Sequence, residues 1–153
     1  MIAPLLMWAC ADLPATEPEA PESSGLRVEA ETPRTTDALL GDLEDAATAA
    51  TAIEELVSRE AIAELSEVAL EGADLSARGW AIHGLVELGT GEQTFVQVQD
   101  DPANPELVRI WAAAGRIALA DAEELDRLRP LARRWSELER PIELREAALR
   151  ASG

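Results

Sequence analysis

The sequence has few of the residues on which disulfide, metal and catalytic chemistry depend. It contains one cysteine, one histidine, one phenylalanine and no tyrosine among 153 residues. A single cysteine rules out an intrachain disulfide, and a lone histidine without a cysteine cluster argues against a zinc site. No glycine-rich phosphate loop and no G-x-S-x-G motif occurs. We therefore expect no catalytic residues, no metal and no cofactor.

Aromatic residues are scarce, at 3%, although hydrophobic residues make up 47% of the chain. The core must consequently be built from Ala, Leu, Val and Ile. Because Ala and Leu are strong helix formers, this composition favours an all-α fold. The length predicts a single folded domain.

Acidic residues outnumber basic ones, and the formal net charge is −17. Phosphate binding requires a basic field, so nucleic acid is not expected as a partner. The charge is unevenly spread: residues 11–76 hold 17 acids and 3 arginines, whereas residues 127–153 hold 7 arginines and 4 acids. Lysine is absent, which we attribute to genomic base bias.

The first residues, MIAPLLMWAC (1–10), are apolar but too few to cross a bilayer, which takes about 20 apolar residues. The run resembles the end of a bacterial lipoprotein signal. That resemblance implies lipidation of Cys10 and an exported or lipid-anchored chain in the bacterial cell envelope. A frayed N-terminus on a cytoplasmic protein is the alternative. Residues 11–35 begin rich in Pro, Glu and Ser and predict a disordered tether.

Residues 36–153 have the apolar spacing of successive helices. The predicted helices cover 35–58, 59–71, 75–88, 91–99, 105–119, 121–128 and 141–151, with a further piece at 130–138. The expected caps and breaks are Ser58, Gly72, Gly89, a Thr90–Gln93 capping box, Asn104 before Pro105, Asp121 with Glu124, Pro130 and Pro141. The capping box favours a helix over a strand for the β-branched segment 91–99.

One short segment of the sequence occurs twice in similar form. LSARGWAIHGLVELG (75–89) and ELVRIWAAAGRIALA (106–120) share the pattern R-x-W-A-x-x-G-x-[VI]-x-L at a spacing of 31 residues. The paired positions are Arg78 and Arg109, Trp80 and Trp111, Gly84 and Gly115, and Leu88 and Leu119. Residues 143–151 begin a third copy with Arg145, and residues 47–56 resemble a degenerate earlier one. Two helices per period of this length predict an α-solenoid.

The recurring glycine and tryptophan predict how closely neighbouring helices pack. A glycine inside a helix costs about 1 kcal/mol relative to alanine. Its repetition at one position predicts a close helix–helix approach with no room for a Cβ atom. The neighbouring tryptophan would then fill the space between layers.

The repeated segments resemble HEAT-like (armadillo-type) repeats, best in NPELVRIWAAAGRIALAD (104–121). The resemblance covers residues 60–153 well and 36–59 weakly. It implies a right-handed superhelix of stacked antiparallel helix pairs, with the second helices lining a concave surface. It also implies that Arg78, Arg109 and Arg145 pair with an acid or with helix ends of a neighbouring repeat. The last copy has a first helix and no second one, so the end of the core is expected to be uncapped, because the chain is truncated or because a partner covers that surface.

Several polar groups could in principle take part in catalysis or recognition. His83 is interpreted as a packed or surface residue, and the acidic pairs 54–55, 100–101 and 123–124 as solvated charge or helix-start charge. The best candidates for recognition are five arginines on or after a predicted second helix, because arginine binds carboxylates bidentately. They are Arg127, Arg129, Arg133, Arg134 and Arg140.

The sequence thus predicts a non-enzymatic HEAT-like scaffold that binds a protein partner, through an acidic segment of that partner, and reaches the membrane only through a lipid anchor. A HEAT-like enzyme, chromophore lyase or chaperone subunit is the alternative.

Overall fold

A computed structural model describes residues 32–152, and this part of the chain contains helices and no strand. The predicted all-α class is confirmed. The helices are α1 (Thr36–Asp42), α2 (Ala49–Ser58), α3 (Ile62–Glu71), α4 (Leu75–Glu87), α5 (Glu92–Asp100), α6 (Glu106–Leu119), α7 (Ala122–Leu128) and α8 (Glu139–Ser152). Two 3-10 segments, Arg129–Arg133 and Ser136–Leu138, connect α7 to α8. The predicted signal segment 1–10 with Cys10, and the tether up to residue 31, lie outside the described residues.

Alternate helices pack side by side. Helix α2 contacts α4, α4 contacts α6, and α6 contacts α8; we call this set the α2–α4–α6–α8 row. Helix α3 packs against α4 and α5, and α5 packs against α6. Each member of the row contains one of the four segments that the sequence pattern aligns.

The apolar side chains form two cores that meet on α6. The first core gathers side chains from α1 to α6, and Leu65, Leu85, Phe95 and Val108 are fully buried in it. The second core joins Ala113 and Ile117 of α6 to α7, the 3-10 segments and α8. Its other buried members are Ala120, Leu125, Leu128, Trp135, Leu138 and Ile142. Helix α6 therefore contributes one side of its surface to each core.

The predicted continuous helix over 35–58 is wrong, because the chain leaves the helix between α1 and α2. In this turn the Asp45 carboxylate accepts from the backbone N–H of Ala47 at 2.9 Å, and the Thr48 hydroxyl donates to the carbonyl of Asp42 at 2.8 Å. Short polar side chains that bond to nearby backbone groups offer an alternative to the helical ladder. The apolar spacing continues through the break, which is why the periodicity did not reveal it.

Some predicted caps form and others do not. Asp121 caps α7 through the backbone N–H of Glu124, and α7 ends at Leu128 as Pro130 predicts. Ser58 does not cap α3; it lies in the last turn of α2 and donates to the carbonyl of Glu55. Pro141 does not open α8, which begins two residues earlier at Glu139.

Thr90 makes no capping box with Gln93, because Thr90 belongs to the end of α4. Gly89 has a positive φ of 67°, its N–H donates to the carbonyl of Val86, and the N–H of Thr90 donates to that of Leu85. These are the two bonds of a Schellman motif. Helix α5 then starts after Gly91, whose φ is 101°. The predicted helix for this segment is confirmed although its start signal is wrong.

The paired glycines are sites of close approach. A Cβ atom on Gly84 would lie 2.6 Å from Cδ1 of Ile53 on α2, and one on Gly115 would lie 3.0 Å from the Phe95 ring on α5. Gly79 faces the Trp111 ring, 3.1 Å from its nearest atom. Trp80, Trp111, Leu88 and Leu119 are all partly buried against the first core.

Substitution of Gly115 by alanine is expected to lower the free energy of unfolding by about 1 kcal/mol. The gain in helix propensity, about 1 kcal/mol, is outweighed by overpacking against a buried ring, which costs about 1–3 kcal/mol. Gly41→Ala is the matched control, because Gly41 is helical and has no neighbour within 4 Å. That variant should be about 0.5 kcal/mol more stable than the parent. Urea unfolding of both variants measures the difference, and a stabilised Gly115→Ala protein would contradict the close approach.

An ion cluster ties the residues before α1 to the end of α2. Arg34 lies 2.8 Å from carboxylate oxygens of both Asp42 and Glu55. Arg59 pairs with Glu55 and donates to the carbonyl of Arg34 at 2.8 Å. The hydrogen bond from Arg34, followed by the interactions with Arg59, holds the pKa of the Glu55 carboxyl below its ordinary value, although desolvation opposes this.

This cluster makes stability depend on pH. A carboxyl whose pKa is lowered in the folded chain stabilises the fold above its ordinary value of 4.5, and the contribution disappears as pH falls through the folded value. Glu55→Gln should therefore unfold at lower urea than the parent at pH 7 and approach it at acid pH. The neighbouring Glu54→Gln serves as control, since Glu54 is exposed and forms no ion pair with any described residue. Parallel pH profiles for Glu55→Gln and the parent would refute this role.

Candidate functional site

The three repeated arginines each reach the carboxyl end of another helix. The Arg78 Nε donates to the carbonyl of Ala69 in α3 at 2.9 Å, and the Arg109 Nε donates to that of Gln99 in α5 at 2.8 Å. The Arg145 Nε donates to the carbonyl of Ala120, just after α6, at 2.6 Å. Helix ends present carbonyls that lack intrahelical partners and carry negative partial charge, so a guanidinium stabilises them.

Arg78 is the most enclosed of the three, with 6% of its surface exposed. It also donates to the carbonyl of Leu70 at 3.0 Å and to the Asn104 amide oxygen at 2.8 Å. Burial lowers the pKa of Arg78, and the charge of Asp101 partly offsets that effect. Asn104 does not cap α6 as predicted, because its amide group donates to the carbonyl of Val98 and accepts from Arg78.

Three of the five predicted partner-binding arginines form ion pairs within the chain. Arg127 pairs with Glu123, and Arg140 lies 3.3 Å from Glu143. Arg129 lies 2.9 Å from Asp126 and 2.6 Å from Glu146. The hydrogen bond to Asp126, together with the charge of Glu146, raises the pKa of Arg129. These side chains would have to exchange a carboxylate of their own chain for one of a partner.

Arg133 and Arg134 differ from the other three. Both are exposed, and neither pairs with a carboxylate among residues 32–152. The Arg134 guanidinium lies over the ring of Trp135, 4.6 Å from its centroid. Trp135 is itself buried, at 3% exposure, and its Nε1 donates to a Glu106 oxygen at 2.9 Å. One of the two unpaired arginines, Arg134, therefore lies over a buried aromatic ring that a hydrogen bond to Glu106 holds in place.

Sequence reasoning missed one contributor to this region. Arg109 is half-buried, and its guanidinium lies 5.5 Å from the centroid of the same Trp135 ring. The family resemblance implied only a structural role for Arg109, and Trp135 had no predicted role beyond its place in the piece 130–138. Glu106, which accepts from the indole, had no assigned role. We call Arg109, Arg134, Trp135 and Glu106 the Trp135 site.

The remaining polar groups lie apart from this site. His83 is exposed and packs edge-on against Trp80. Glu124 pairs with Arg116 at 2.6 Å, beside a cleft of about 290 Å³. That cleft is lined by Glu92, Arg116, Leu119, Ala120, Asp121 and Glu124. Within the described range, no group of three or more His, Cys, Asp or Glu side chains could hold a metal ion.

None of the helices in the described part of the chain combines the length and apolar content that a bilayer crossing needs. Comparison with known proteins finds no matching family model, no matching curated protein and no matching solved structure.

Proposed function

We propose that this protein is a non-enzymatic, HEAT-like scaffold that binds a protein partner through two of its C-terminal arginines, Arg133 and Arg134. The observation that carries the proposal is the pair Arg133 and Arg134, exposed and without a carboxylate partner in the described residues of a chain whose net charge is −17. In such an acidic chain, an arginine near a free carboxylate gains from pairing with it. Because Arg133 and Arg134 remain unpaired, they are suited to bind an acidic segment of another protein.

The contacts between helices support the solenoid part of this proposal. The α2–α4–α6–α8 row places the four aligned segments next to one another, each contacting the next. In a right-handed HEAT-like superhelix the first helices of successive repeats form such a layer and the second helices form the other; here α3 and α5, the helices between members of the row, contact each other. The three repeated arginines bond to helix ends, which agrees with the role that the family resemblance implies.

A lipid on Cys10, attached through the tether that follows it, would hold the scaffold at the bacterial cell envelope. The support for this part is the sequence MIAPLLMWAC and the Pro- and Glu-rich segment after it. Intact mass measurement of the chain purified from its own source tests it. A mass without added acyl groups on a chain that still contains Cys10 would remove the anchor and leave the scaffold proposal standing.

The partner-binding proposal is tested by charge reversal. Full-length chain carrying Arg133→Glu and Arg134→Glu is compared with the parent for proteins that it captures from its own source. We expect the reversed variant to lose the acidic partner, with at least a tenfold loss of affinity once that partner is purified, since hydrogen bonds to charged groups contribute about 1.5–3 kcal/mol each. The affinity of the parent chain for this partner should also fall as salt is added.

The control variant carries Arg127→Glu and Arg140→Glu, which changes the net charge equally at two arginines that already form ion pairs in the chain. Circular dichroism and thermal unfolding verify that both variants fold. Equal capture by the parent and by the Arg133/Arg134 variant would refute the proposal. Equal loss in both variants would show a response to overall charge and would refute the specific surface.

A further inference from the structure

We propose that Arg109 and Arg134, held around the ring of Trp135, form a binding site for side-chain carboxylates of an acidic peptide segment. This inference rests on the proposed function and deepens it, because it adds a contributor from α6 and names the chemistry of the ligand. The two guanidinium carbons lie 5.5 Å and 4.6 Å from the centroid of one ring. The site thus joins a helix of the repeat row to the 3-10 region.

The repeat alignment explains why the terminal N–H groups of Arg109 lack the acceptor that Arg78 has. Arg78 donates from its terminal nitrogen to Asn104, 26 residues later. The residue 26 positions after Arg109 is Trp135, which offers an aromatic face and no amide oxygen. The second copy of the repeat has therefore replaced an acceptor for the arginine with a surface on which the arginine lies.

The terminal nitrogens of Arg109 remain open to a ligand. Its Nε is used by the carbonyl of Gln99, and no described residue accepts from its two terminal nitrogens. The described residues contain no buried side-chain nitrogen or oxygen without a hydrogen-bond partner. These terminal groups therefore reach solvent.

The Trp135 ring holds both guanidinium groups close to one another. A guanidinium that lies over an aromatic ring uses its face for that contact and keeps its N–H groups along its edge. Those N–H groups match the two oxygens of a carboxylate. Because the arginines are already held by the ring, less side-chain entropy is lost on binding.

The local charge favours an anion even though two carboxylates are nearby. Arg109, Arg134 and the adjacent Arg133 carry three positive charges, whereas Glu106 and Glu137, two residues after Trp135, carry one negative charge each. Glu106 accepts from the Trp135 indole at 2.9 Å, which fixes the ring that both arginines contact. Glu106 therefore holds the Trp135 ring in place, while its negative charge weakens the electrostatic attraction of the site for an anionic ligand.

The test uses the purified full-length chain and a short peptide of four consecutive glutamates, with the matching glutamine peptide and inorganic phosphate as comparison probes. The indole N–H signal of Trp135, assigned by its loss in Trp135→Phe, reports binding in nuclear magnetic resonance spectra. Calorimetry gives the affinity. We expect the glutamate peptide to shift this signal and the glutamine peptide to leave it unchanged.

Variants then assign the contributions. Arg134→Gln and Arg109→Gln should each lower the affinity for the glutamate peptide by about tenfold, whereas Arg127→Gln should leave this affinity unchanged. Glu106→Gln keeps an acceptor for the indole and should strengthen binding by about threefold. Arg109→Lys retains the charge but not the planar fork and should also weaken binding. Urea unfolding of each variant separates loss of binding from loss of the fold.

Different results would overturn the two-arginine site and the proposed partner-binding surface. No effect of Arg109→Gln, with a loss in Arg134→Gln, would overturn the two-arginine site and leave the Arg133/Arg134 surface intact. A shift with inorganic phosphate but not with the glutamate peptide would overturn the carboxylate assignment. Peptide binding that depends on both arginines, with protein capture unchanged by reversal of Arg133 and Arg134, would support this site and refute the proposed function.

Discussion

Phe95→Ala should lower the free energy of unfolding by about 3–5 kcal/mol. Phe95 is the only phenylalanine of the chain and is fully buried in the first core. Its ring lies against Gly91 at the start of its own helix and against Gly115 of α6. Neither glycine has side-chain atoms that could move into the vacated space, so the cavity should persist. Such a loss is a large part of the roughly 5–15 kcal/mol that stabilises a typical domain.

Urea unfolding followed by circular dichroism measures this effect. Phe95→Leu retains most of the apolar volume and should cost less than the alanine variant. Leu107→Ala in α6 is the control for an apolar side chain outside the cores, because Leu107 is 48% exposed; it should change stability by no more than about 0.5 kcal/mol. Equal losses for Phe95→Ala and Leu107→Ala would contradict the position of the ring between α5 and α6.

Arg78→Met should cost about 2–4 kcal/mol, an unusual loss for an arginine. Methionine retains much of the apolar stem but leaves the carbonyls of Ala69 and Leu70 without their side-chain donor. The Asn104 amide oxygen also loses its partner at the turn before α6. Unfolding by urea or heat measures the loss.

Arg109→Met is the matched control at the equivalent repeat position. Arg109 is half-buried and donates only to the carbonyl of Gln99 within the described residues, so its replacement should cost about 1 kcal/mol. Arg78→Lys preserves the charge but not the geometry of three donated bonds and should recover only part of the loss. An Arg78→Met protein as stable as Arg109→Met would show that the additional bonds of Arg78 contribute nothing.

The repeated sequence allowed several close contacts to be anticipated. Because Gly84 and Gly115 recur at one helical position, the absence of space for a Cβ could be inferred, and the structure places Ile53 and the Phe95 ring there. The positions of α3 to α7 followed from apolar spacing together with Gly72, Gly89 and Pro130. These features are local or periodic, so a linear pattern contains them.

Other features depend on competition between local interactions. The break after Asp42 arises because Asp45 and Thr48 bond to the backbone, yet apolar residues recur at helical spacing on both sides of it. Thr90 and Gln93 have the spacing of a capping box, but the positive φ of Gly89 and Gly91 determines how the chain turns. Composition and spacing do not rank such alternatives.

The candidate site was predictable in residue type but not in pairing. Arg129 and Arg133 look alike in the sequence, yet Arg129 lies 2.6 Å from Glu146 on α8 and Arg133 pairs with no carboxylate in residues 32–152. The contact between Arg109 and Trp135 depends on how α6 and the 3-10 region fold together. A comparison of Asn104 with Trp135 in the repeat alignment was the available signal for it.

Helix α6 contributes buried side chains to both hydrophobic cores. Val108 and Ala112 belong to the first core, while Ala113 and Ile117 belong to the second. Repeat arrays often melt one neighbour after another, since each unit touches only the next. Here both cores include residues of the same helix, so local unfolding of α6 would expose buried side chains of both cores at once.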